Sequence, residues 1–476
     1  MNKRRIGVIT LAITFISIGI LLLMRNFIGI NLKETFSIAW PSIIILFGLE
    51  IIITKIIIFK QHDEVRTHID AISVILLSII IVITSIYSSF SLDNRLGFFS
   101  FAKHFNARNF SISSPKYTQK SNYSYNFNFE ADDKKQLEII NSFGDIEIRA
   151  GEGEHIEIIA EVDISHNDEE YAEKLSKNII QTEDIGGSIK VVTNLDSQYE
   201  KEKAGNIRVN YSVYMPEHIK VNVENKFGNI TVSDIKNDVE IYNQHGNIKV
   251  TDITGKTKAN NSFGQISISN ISGDVSIECA HGNIEVENVS SSIDIVNSFG
   301  WIKVFRIKGE VNIDNQHNNV YVDNTGSNVK IKNKFGDVDA KNINGDLNIE
   351  NGNGNINIES IKGNVVSYDK FGNIDVKEAN KFVKIILKNG NISFKTDKII
   401  EEGIEIENEF GDINIWIPSE QKGRFNILAE FGVIKNKLGL SVNESITEQS
   451  INDFIGSDDV VFYIRSRNGN INVNSN

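Results

Sequence analysis

The regular spacing of the histidines is the first feature of this chain that suggests a functional site, because histidines can bind a metal ion. His245, His281 and His317 recur every 36 residues, and imidazole nitrogen is a common zinc ligand. If every 18 residues form one coil of a stacked structure, coils lie ~4.8 Å apart and successive histidines ~9.6 Å apart. Zinc–nitrogen bonds are ~2.0 Å long. These histidines are therefore too far apart to share an ion, and we expect no metal site.

Aspartates beside glycine raise the separate question of calcium. Asp337, Asp346 and Asp412 each follow a single glycine, whereas calcium-binding rolls repeat GGxGxDxUx, with paired glycines and Asp at the sixth place. We interpret these aspartates as turn residues. Cys279 is the single cysteine, which excludes an internal disulfide and a multi-cysteine metal site. No catalytic residue and no cofactor site is predicted.

The histidines alternate with phenylalanines in one column of period 18. Aromatic rings that recur at one place in stacked coils are expected to stack on each other. We predict such a corner stack for Phe227, His245, Phe263, His281, Phe299, His317, Phe335 and Phe371.

Asparagine forms a second column of the same period, in which Cys279 and Asp369 take its place in two coils. A stacked amide can hydrogen-bond to the amides above and below it. We predict a structural ladder of Asn225, Asn243, Asn261, Asn297, Asn315, Asn333 and Asn351.

The elements that position these columns follow from the repeat itself. Each half of nine residues has a Gly, Asn or Asp turn followed by alternating apolar residues, the pattern of a short strand. The column that begins with Ile230, Ile248 and Ile266 is β-branched in all ten regular coils. The predicted fold is an all-β parallel β-solenoid with 18 residues and two short strands per coil, ~48 Å long, preceded by three transmembrane α-helices.

Five segments follow from this interpretation. They are a membrane domain at 1–90 with spans at 6–24, 38–59 and 69–90, a linker at 91–136, an N-terminal cap with the first strands at 137–218, the regular solenoid at 219–396, and irregular coils with a C-terminal cap at 397–476. Asp168 to Ile179 is the one clear soluble helix candidate, with Tyr171, Leu175 and Ile179 on one face.

The three predicted spans are long apolar runs, and the first has 19 residues, enough to cross a hydrocarbon core as a helix. Lys3, Arg4 and Arg5 precede it and favour a cytoplasmic N-terminus, which would put the solenoid outside. Glu50 lies near the middle of the second span and needs a partner at that depth. Its partner is either another membrane protein or a Ser or Thr of a neighbouring span.

Charge is unevenly distributed along the chain. The net charge is -13, and the nine basic and six acidic residues of the first 96 leave -16 for the rest. An acidic repeat domain repels phosphate backbones, so no nucleic-acid partner is expected.

From Leu137 onwards the chain resembles the bacterial putative-adhesin family of β-strand-repeat domains. The resemblance rests on NSFGDIEIRAGEGEHIEI, on YMPEHIKVNVENKFGNITV and on the many G-[DN]-[IV]-x-[IV] units. The first 60 residues are similar to the membrane segment of LiaF-type and LiaI-type envelope-stress proteins, on IGVITLAITFISIGILLLMRN and WPSIIILFGLEII. The resemblance implies a cell-envelope protein with a link to envelope stress.

Together these observations favour a non-enzymatic, membrane-anchored envelope protein whose rigid acidic solenoid faces outward for binding or sensing. Its expected partners are membrane lipid and either another envelope membrane protein or a cell-surface ligand. Two alternatives are a cytoplasm-facing regulatory partner of a membrane signalling system and, third, a β-helix polysaccharide lyase or hydrolase. The last needs a cleft, and the equal halves from Phe227 to Phe394 leave no inserted loops to build its walls.

Overall fold

The structure is a computed structural model that describes residues 4–6, 10, 11, 14, 47, 50, 67–69, 117–151, 153–194 and 203–475. The chain divides into two compact units, Met1–Ser113 and Ser114–Asn476. In the first unit, the strands Arg4–Ile6 and Thr67–Ile69 pair in parallel.

The prediction of three transmembrane helices is wrong. Across the described residues no helix is long and apolar enough to cross a membrane, and the one helix with defined bounds there has ten residues. Nearly all of 6–24, 38–59 and 69–90 lies outside the described residues, and Ile6 and Ile69, which begin the first and third runs, belong to strands. At Ile6 and Ile69 hydropathy alone did not determine the element type, because β-branched residues favour strands as well as apolar helices.

The second unit contains a stack of eleven consecutive coils in which each coil contributes one strand to each of two sheets, and further strands extend both sheets at each end. The first sheet contains the strands that end in the Phe/His column: Lys220–Phe227, Val239–His245, Thr257–Phe263, Val275–His281, Ile293–Phe299, Val311–His317, Val329–Phe335, Leu347–Asn353, Val365–Phe371, Val383–Asn389 and Ile404–Phe410. The second sheet contains the strands that follow it: Ile230–Ser233, Ile248–Ile253, Ile266–Ile271, Ile284–Val289, Ile302–Ile307, Val320–Thr325, Val338–Ile343, Ile356–Ile361, Ile374–Ala379, Ile392–Lys395 and Ile413–Ile417.

Every pairing between these coils is parallel and in the register that the repeat predicts. Ile230 lies against Ile248, and Ile248 against Ile266. The whole column from Ile230 to Ile392 is at most 1% exposed. The predicted parallel β-solenoid is therefore confirmed, and burial of these columns between the two sheets stabilises it at ~25 cal/mol per Å² of apolar surface.

At the proximal end the coils do not stack in chain order. The coil formed by Gln136–Phe143 and Ile146–Ala150 lies directly below the first regular coil. Below it lie Ser188–Thr193 and Ala204–Met215, which come later in the chain. The outermost strands are antiparallel: Ile180–Ile185 in the first sheet, and His155–His166 followed by Gln119–Glu130 in the second.

The predicted soluble helix is present as Glu169–Asn178. Asp168 caps it by accepting a hydrogen bond from the Tyr171 N–H at 3.1 Å, which satisfies one of the open N–H groups of the first turn. Leu175 and Ile179 are buried. The helix thus covers apolar surface at the proximal end with the face that its sequence pattern indicates.

At the distal end, too, the strands do not stack in the order of the chain. Val461–Asn468 and Ile471–Ser475, the last strands of the chain, pair with the eleventh regular coil. Gly423–Ala429 and Ile434–Asn436 come earlier in sequence but lie outside them. Gln449–Ile455 and the two-residue strand Asn443–Glu444 complete the edge. The C-terminal coil is therefore an internal layer of the stack.

Deleting residues 457–476 tests this order. The deletion removes the layer that joins Gly423–Ala429 to the rest of the stack, so we expect the amides of that strand to exchange hydrogen as in an unfolded peptide. Amides of Val311–His317, several coils away, should keep their protection. Hydrogen exchange read by mass spectrometry measures both, and continued protection of Gly423–Ala429 would contradict the stacking order.

Candidate functional site

Each regular coil except the one with Asn318 turns from the first to the second sheet at a glycine that follows the Phe/His column. Gly264 has φ +128° and Gly246 φ +132°, values that L side chains rarely adopt. A Cβ on Gly264 would lie 2.1 Å from the carbonyl oxygen of Gly246 in the preceding coil. The glycine therefore lets the corners stack closely, and this fixes the preceding ring at the edge of the rod.

The rings at this edge form a continuous stack of eight. Phe143 begins it, and Phe227, His245, Phe263, His281, Phe299, His317 and Phe335 follow, with centroids 4.6 to 5.1 Å apart and planes within 15° of parallel. The stack ends where Asn353 lies above Phe335. Phe371 lies on Asn353 and below Asn389, outside this stack.

Stacking determines what these rings offer to a ligand. Each face is covered by the neighbouring ring, while the phenylalanines from Phe143 to Phe335 remain 40 to 48% exposed through their edges. The histidines alternate with phenylalanines, so no two imidazoles are adjacent. Among the described residues, no group of three His, Cys, Asp or Glu side chains is placed to hold a metal ion.

The asparagine column lies inside the same corner and is almost fully buried. Its hydrogen bonds differ from the amide-to-amide pattern expected from the sequence. Asn261 Nδ2 donates to the carbonyl oxygens of Gly246 at 2.9 Å and Gly264 at 3.1 Å. Asn225, Asn243, Asn297 and Asn351 likewise donate to a glycine of the preceding coil.

One amide-to-amide bond does occur, from Asn315 Nδ2 to Asn333 Oδ1 at 3.1 Å, and Asn333 donates to Gly336. The difference has a physical cause: the positive-φ glycine turns its carbonyl oxygen toward the column, within reach of the amide. The asparagine amides thus hold the main chain of successive corners together. The buried Oδ1 atoms of several of them, including Asn225, Asn243 and Asn261, have no hydrogen-bond partner.

In two coils an ionisable side chain, that of Cys279 or Asp369, replaces the asparagine of this column. Burial raises the pKa of the Cys279 thiol to about 11. Burial also raises the pKa of Asp369 to about 6, against hydrogen bonds from the Lys370 and Phe371 main chain that lower it. Asp369 Oδ2 has no hydrogen-bond partner, and the side chain in register above it is Leu387.

A second polar ladder, missed from the sequence, joins the residues that follow the corner glycines. Asn229 Oδ1 accepts the main-chain N–H of Asn247, and Asn247 Oδ1 accepts that of Gln265, each at 2.9 Å. The same contact recurs from Asn355 to Asn373 and from Asn373 to Asn391. The sequence pattern that could have predicted this ladder is an Asn or Asp after the corner glycine at intervals of 18 residues.

The opposite corner carries a column in the left-handed region, which the sequence did not single out. Nine residues at intervals of 18 have φ between 52° and 64°: Asp234, Asp252, Asn270, Asn288, Arg306, Asn324, Asn342, Ser360 and Glu378. Asp and Asn are the non-glycine residues most tolerant of this conformation. Six of the nine are Asp or Asn, and Arg306, Ser360 and Glu378 are the exceptions.

Beside the ring stack, the outer face of the first sheet forms a groove of about 570 Å³. It crosses six consecutive coils, from Ile140 to Ser298. Tyr242 and Glu278 contribute large side chains, whereas Ser262, Ala280 and Ser298 contribute small ones. A depression of this size with few charges suits an extended, polar ligand.

A Ser–His–Glu cluster at the proximal end resembles a catalytic set but is connected differently. Ser121 Oγ lies 2.9 Å from His166 Nε2, and a Glu169 carboxylate oxygen lies 3.1 Å from the same nitrogen. His166 Nδ1 is buried without a hydrogen-bond partner. A relay needs the carboxylate on the nitrogen opposite the serine, so this arrangement joins the helix start to strand Gln119–Glu130.

In the first unit, Glu50 lies against Thr10. Glu50 Oε2 accepts hydrogen bonds from the Thr10 N–H at 2.9 Å and from Thr10 Oγ1 at 2.5 Å. This is the kind of threonine contact that one of the two interpretations of Glu50 expected. A contact with another membrane protein stays a prediction.

Fold and site together define a parallel β-solenoid repeat protein with one exposed aromatic edge and a groove beside it. Residues 308–474 match the family model described as Toastrack DUF4097. The comparison with curated proteins gives no match.

One solved structure, described as a "putative cell adhesion protein" from Clostridium sporogenes ATCC 15579, aligns with 75% of this chain and 100% of that chain. The two are 11% identical with a TM-score of 0.14. A TM-score this low does not establish a shared fold.

Asp369→Asn tests the energetic role of the asparagine column. The unfolded carboxyl has its usual pKa of 3.8, and the folded one about 6, so the folded state favours the neutral acid and loses stability as pH rises from about 4 to 6. Asparagine removes this penalty. We expect no gain in the free energy of unfolding below about pH 4 and a gain of up to ~3 kcal/mol above pH 6.

Thermal unfolding measured from pH 4 to pH 8 gives this profile. Asp314→Asn is the matched control because Asp314 is exposed on the outer face of the same sheet, and it should change stability little at any pH. A pH-independent effect of Asp369→Asn would contradict the assignment.

Proposed function

We propose that this protein is a non-enzymatic, adhesin-like binding rod that uses the groove beside its aromatic edge to hold an extended partner. The observation that carries the proposal is the groove itself, which continues over six coils of one rigid sheet. At ~4.8 Å per coil its length is ~24 Å, so a ligand can contact several equivalent positions at once.

The spacing of the groove carboxylates supports binding rather than hydrolysis. Glu224 and Glu278 both line the groove and are three coils apart, ~14 Å at ~4.8 Å per coil. The paired carboxylates of glycosidases are ~5 to 9.5 Å apart. These two side chains are too distant to act on one glycosidic bond.

The proposal places the solenoid outside the cytoplasm and attaches it to the cell envelope. The support is the apolar composition of the first 90 residues and the acidic charge of the remainder. A link to envelope stress rests on the resemblance of the first 60 residues alone.

Cysteine labelling on intact cells tests the location. Cys279 is buried, and its raised pKa of about 11 keeps it a thiol near neutral pH, so the native chain should react little with a membrane-impermeant maleimide. Ser267→Cys, on the outer face of the second sheet, should react without lysis. Labelling only after lysis would place the solenoid in the cytoplasm and favour the regulatory alternative.

Blocking the groove tests its use in attachment. Ser262→Arg puts a long cation into the groove, whereas Ser267→Arg puts the same side chain on the other sheet as a control. We expect cells that carry Ser262→Arg to be retained at least tenfold less on the surface that retains the wild type, among mucin, collagen and purified cell-wall coatings. Equal retention of both variants, or no retention of the wild type on any coating, would count against the proposal.

A further inference from the structure

One coil of the regular stack breaks the column rules at several positions at once. Trp301 stands where the coils below and above have Asn283 and Asn319. The Trp301 N–H still donates to Asn283 Oδ1 at 3.1 Å. The Trp301 side chain has no oxygen that could accept a hydrogen bond from the main-chain N–H of Asn319. That N–H donates instead to Asn318 Oδ1 within its own coil. The polar ladder between coils is therefore interrupted here.

Two strained residues accompany the interruption. Asn318, directly above Gly300, occupies a corner glycine position with φ 95°. Arg306 has φ 56°, the usual value of the left-handed column, but like Ser360 and Glu378 it replaces the Asp or Asn of the other six coils. Residues in such sparsely populated conformations cost about 1 to 3 kcal/mol and concentrate at functional sites. Several departures within two adjacent coils indicate a local requirement other than stacking.

These departures create an aromatic and basic surface on the outer face of the second sheet. Trp301, Lys303 and Phe305 alternate with the buried Ile302 and Val304 and so share this face. Tyr321 lies above Lys303 in register. Lys303 Nζ is 4.6 Å from the Trp301 ring centroid and 6.0 Å from that of Tyr321, so cation–π attraction holds the ammonium between two rings.

The surface continues into a groove of about 690 Å³ at the corner that follows the strand. Arg306 and Lys308 line it together with Asn270, Asn288, Ser272 and Ser290. Arg306 Nε donates to Asn288 Oδ1 at 2.7 Å, and its Nη2 pairs with Glu287. Residues 301–308 contain three cations, Lys303, Arg306 and Lys308. In the adjacent coils Glu285 lies in register with Lys303, and Asp323 lies in register with Phe305. Arg306 is already paired with Glu287. Among the described residues Lys303 and Lys308 form no ion pair, so these two ammonium groups are the ones that can bind an anionic partner.

We propose that the surface of Trp301, Lys303, Phe305, Arg306, Lys308 and Tyr321 binds a carboxylated polysaccharide. This rests on the proposed function of the rod and names a ligand class for a face opposite the first groove. The apolar faces of sugar rings suit partly exposed aromatic side chains, and hydroxyls suit the amides and serines of the corner groove. Carboxylates suit the ammonium groups of Lys303 and Lys308.

Calorimetric titration of the full-length protein in a sugar-free detergent tests the proposal with three polymers. Polygalacturonate has both sugar rings and carboxylates, its fully methyl-esterified form lacks the charge, and poly-L-glutamate lacks the rings. We expect polygalacturonate to bind at least tenfold more tightly than either of the others, and to bind more weakly as salt is raised. Equal binding of poly-L-glutamate, or no binding of polygalacturonate, would overturn the proposal.

Trp301→Asn separates a binding role from a structural one because it restores the residue of the neighbouring coils. We expect it to raise the Kd for polygalacturonate at least tenfold while the melting temperature stays equal or rises. Lys303→Gln should raise the Kd several-fold. The controls are Trp416→Asn in the distal coil and Lys249→Gln, which lies in the column of Lys303 three coils below, and neither should change the Kd.

Unchanged affinity in Trp301→Asn would also refute the proposal. The outcomes separate it from the function of the first groove. If polygalacturonate does not bind while Ser262→Arg still abolishes cell attachment, this inference fails and the binding rod stands. If Ser262→Arg has no effect while Trp301→Asn loses polygalacturonate, the first groove fails and the second surface stands.

Discussion

The close approach of successive corners is the constraint on which the rest of the structure depends. Where a corner glycine has positive φ, its carbonyl oxygen occupies the space that a Cβ in the next coil would need, as Gly246 does for Gly264. That approach brings the same oxygen within reach of a buried asparagine and places the preceding ring on the ring below. Three columns with different chemistry are therefore consequences of one main-chain conformation. Burial of apolar side chains between the sheets stabilises the fold, and the corner contacts fix the register of successive coils.

Much of this architecture could be predicted from the sequence because parallel stacking turns a fixed period into spatial contact. Ile230, Ile248 and Ile266 are in register and buried as expected, and the helix predicted between Asp168 and Ile179 is present. The hydrogen bonds of the asparagines were less predictable, since they depend on where a glycine carbonyl points. The period identified which residues align but not which atoms meet.

Three features could not be predicted from the period of the repeat. The exchanged order of coils at both ends depends on contacts between segments that are distant in sequence and have irregular lengths. We assigned the apolar runs of the first 90 residues to helices because of their hydropathy. Hydropathy does not distinguish helices from strands when the residues are β-branched. The groove of the first sheet arose from small side chains at Ser262, Ala280 and Ser298, whose effect appears only once the strands lie side by side.

The exchanged order at the two ends also determines how such a rod can change length during evolution. Duplication of an eighteen-residue unit between 219 and 396 inserts a layer whose upper and lower faces match its neighbours, so neither terminus is disturbed. Residues added after 475 extend a layer that already has a neighbour on each side and cannot lengthen the stack. Homologues of different reach should therefore differ by whole internal units and share their terminal segments.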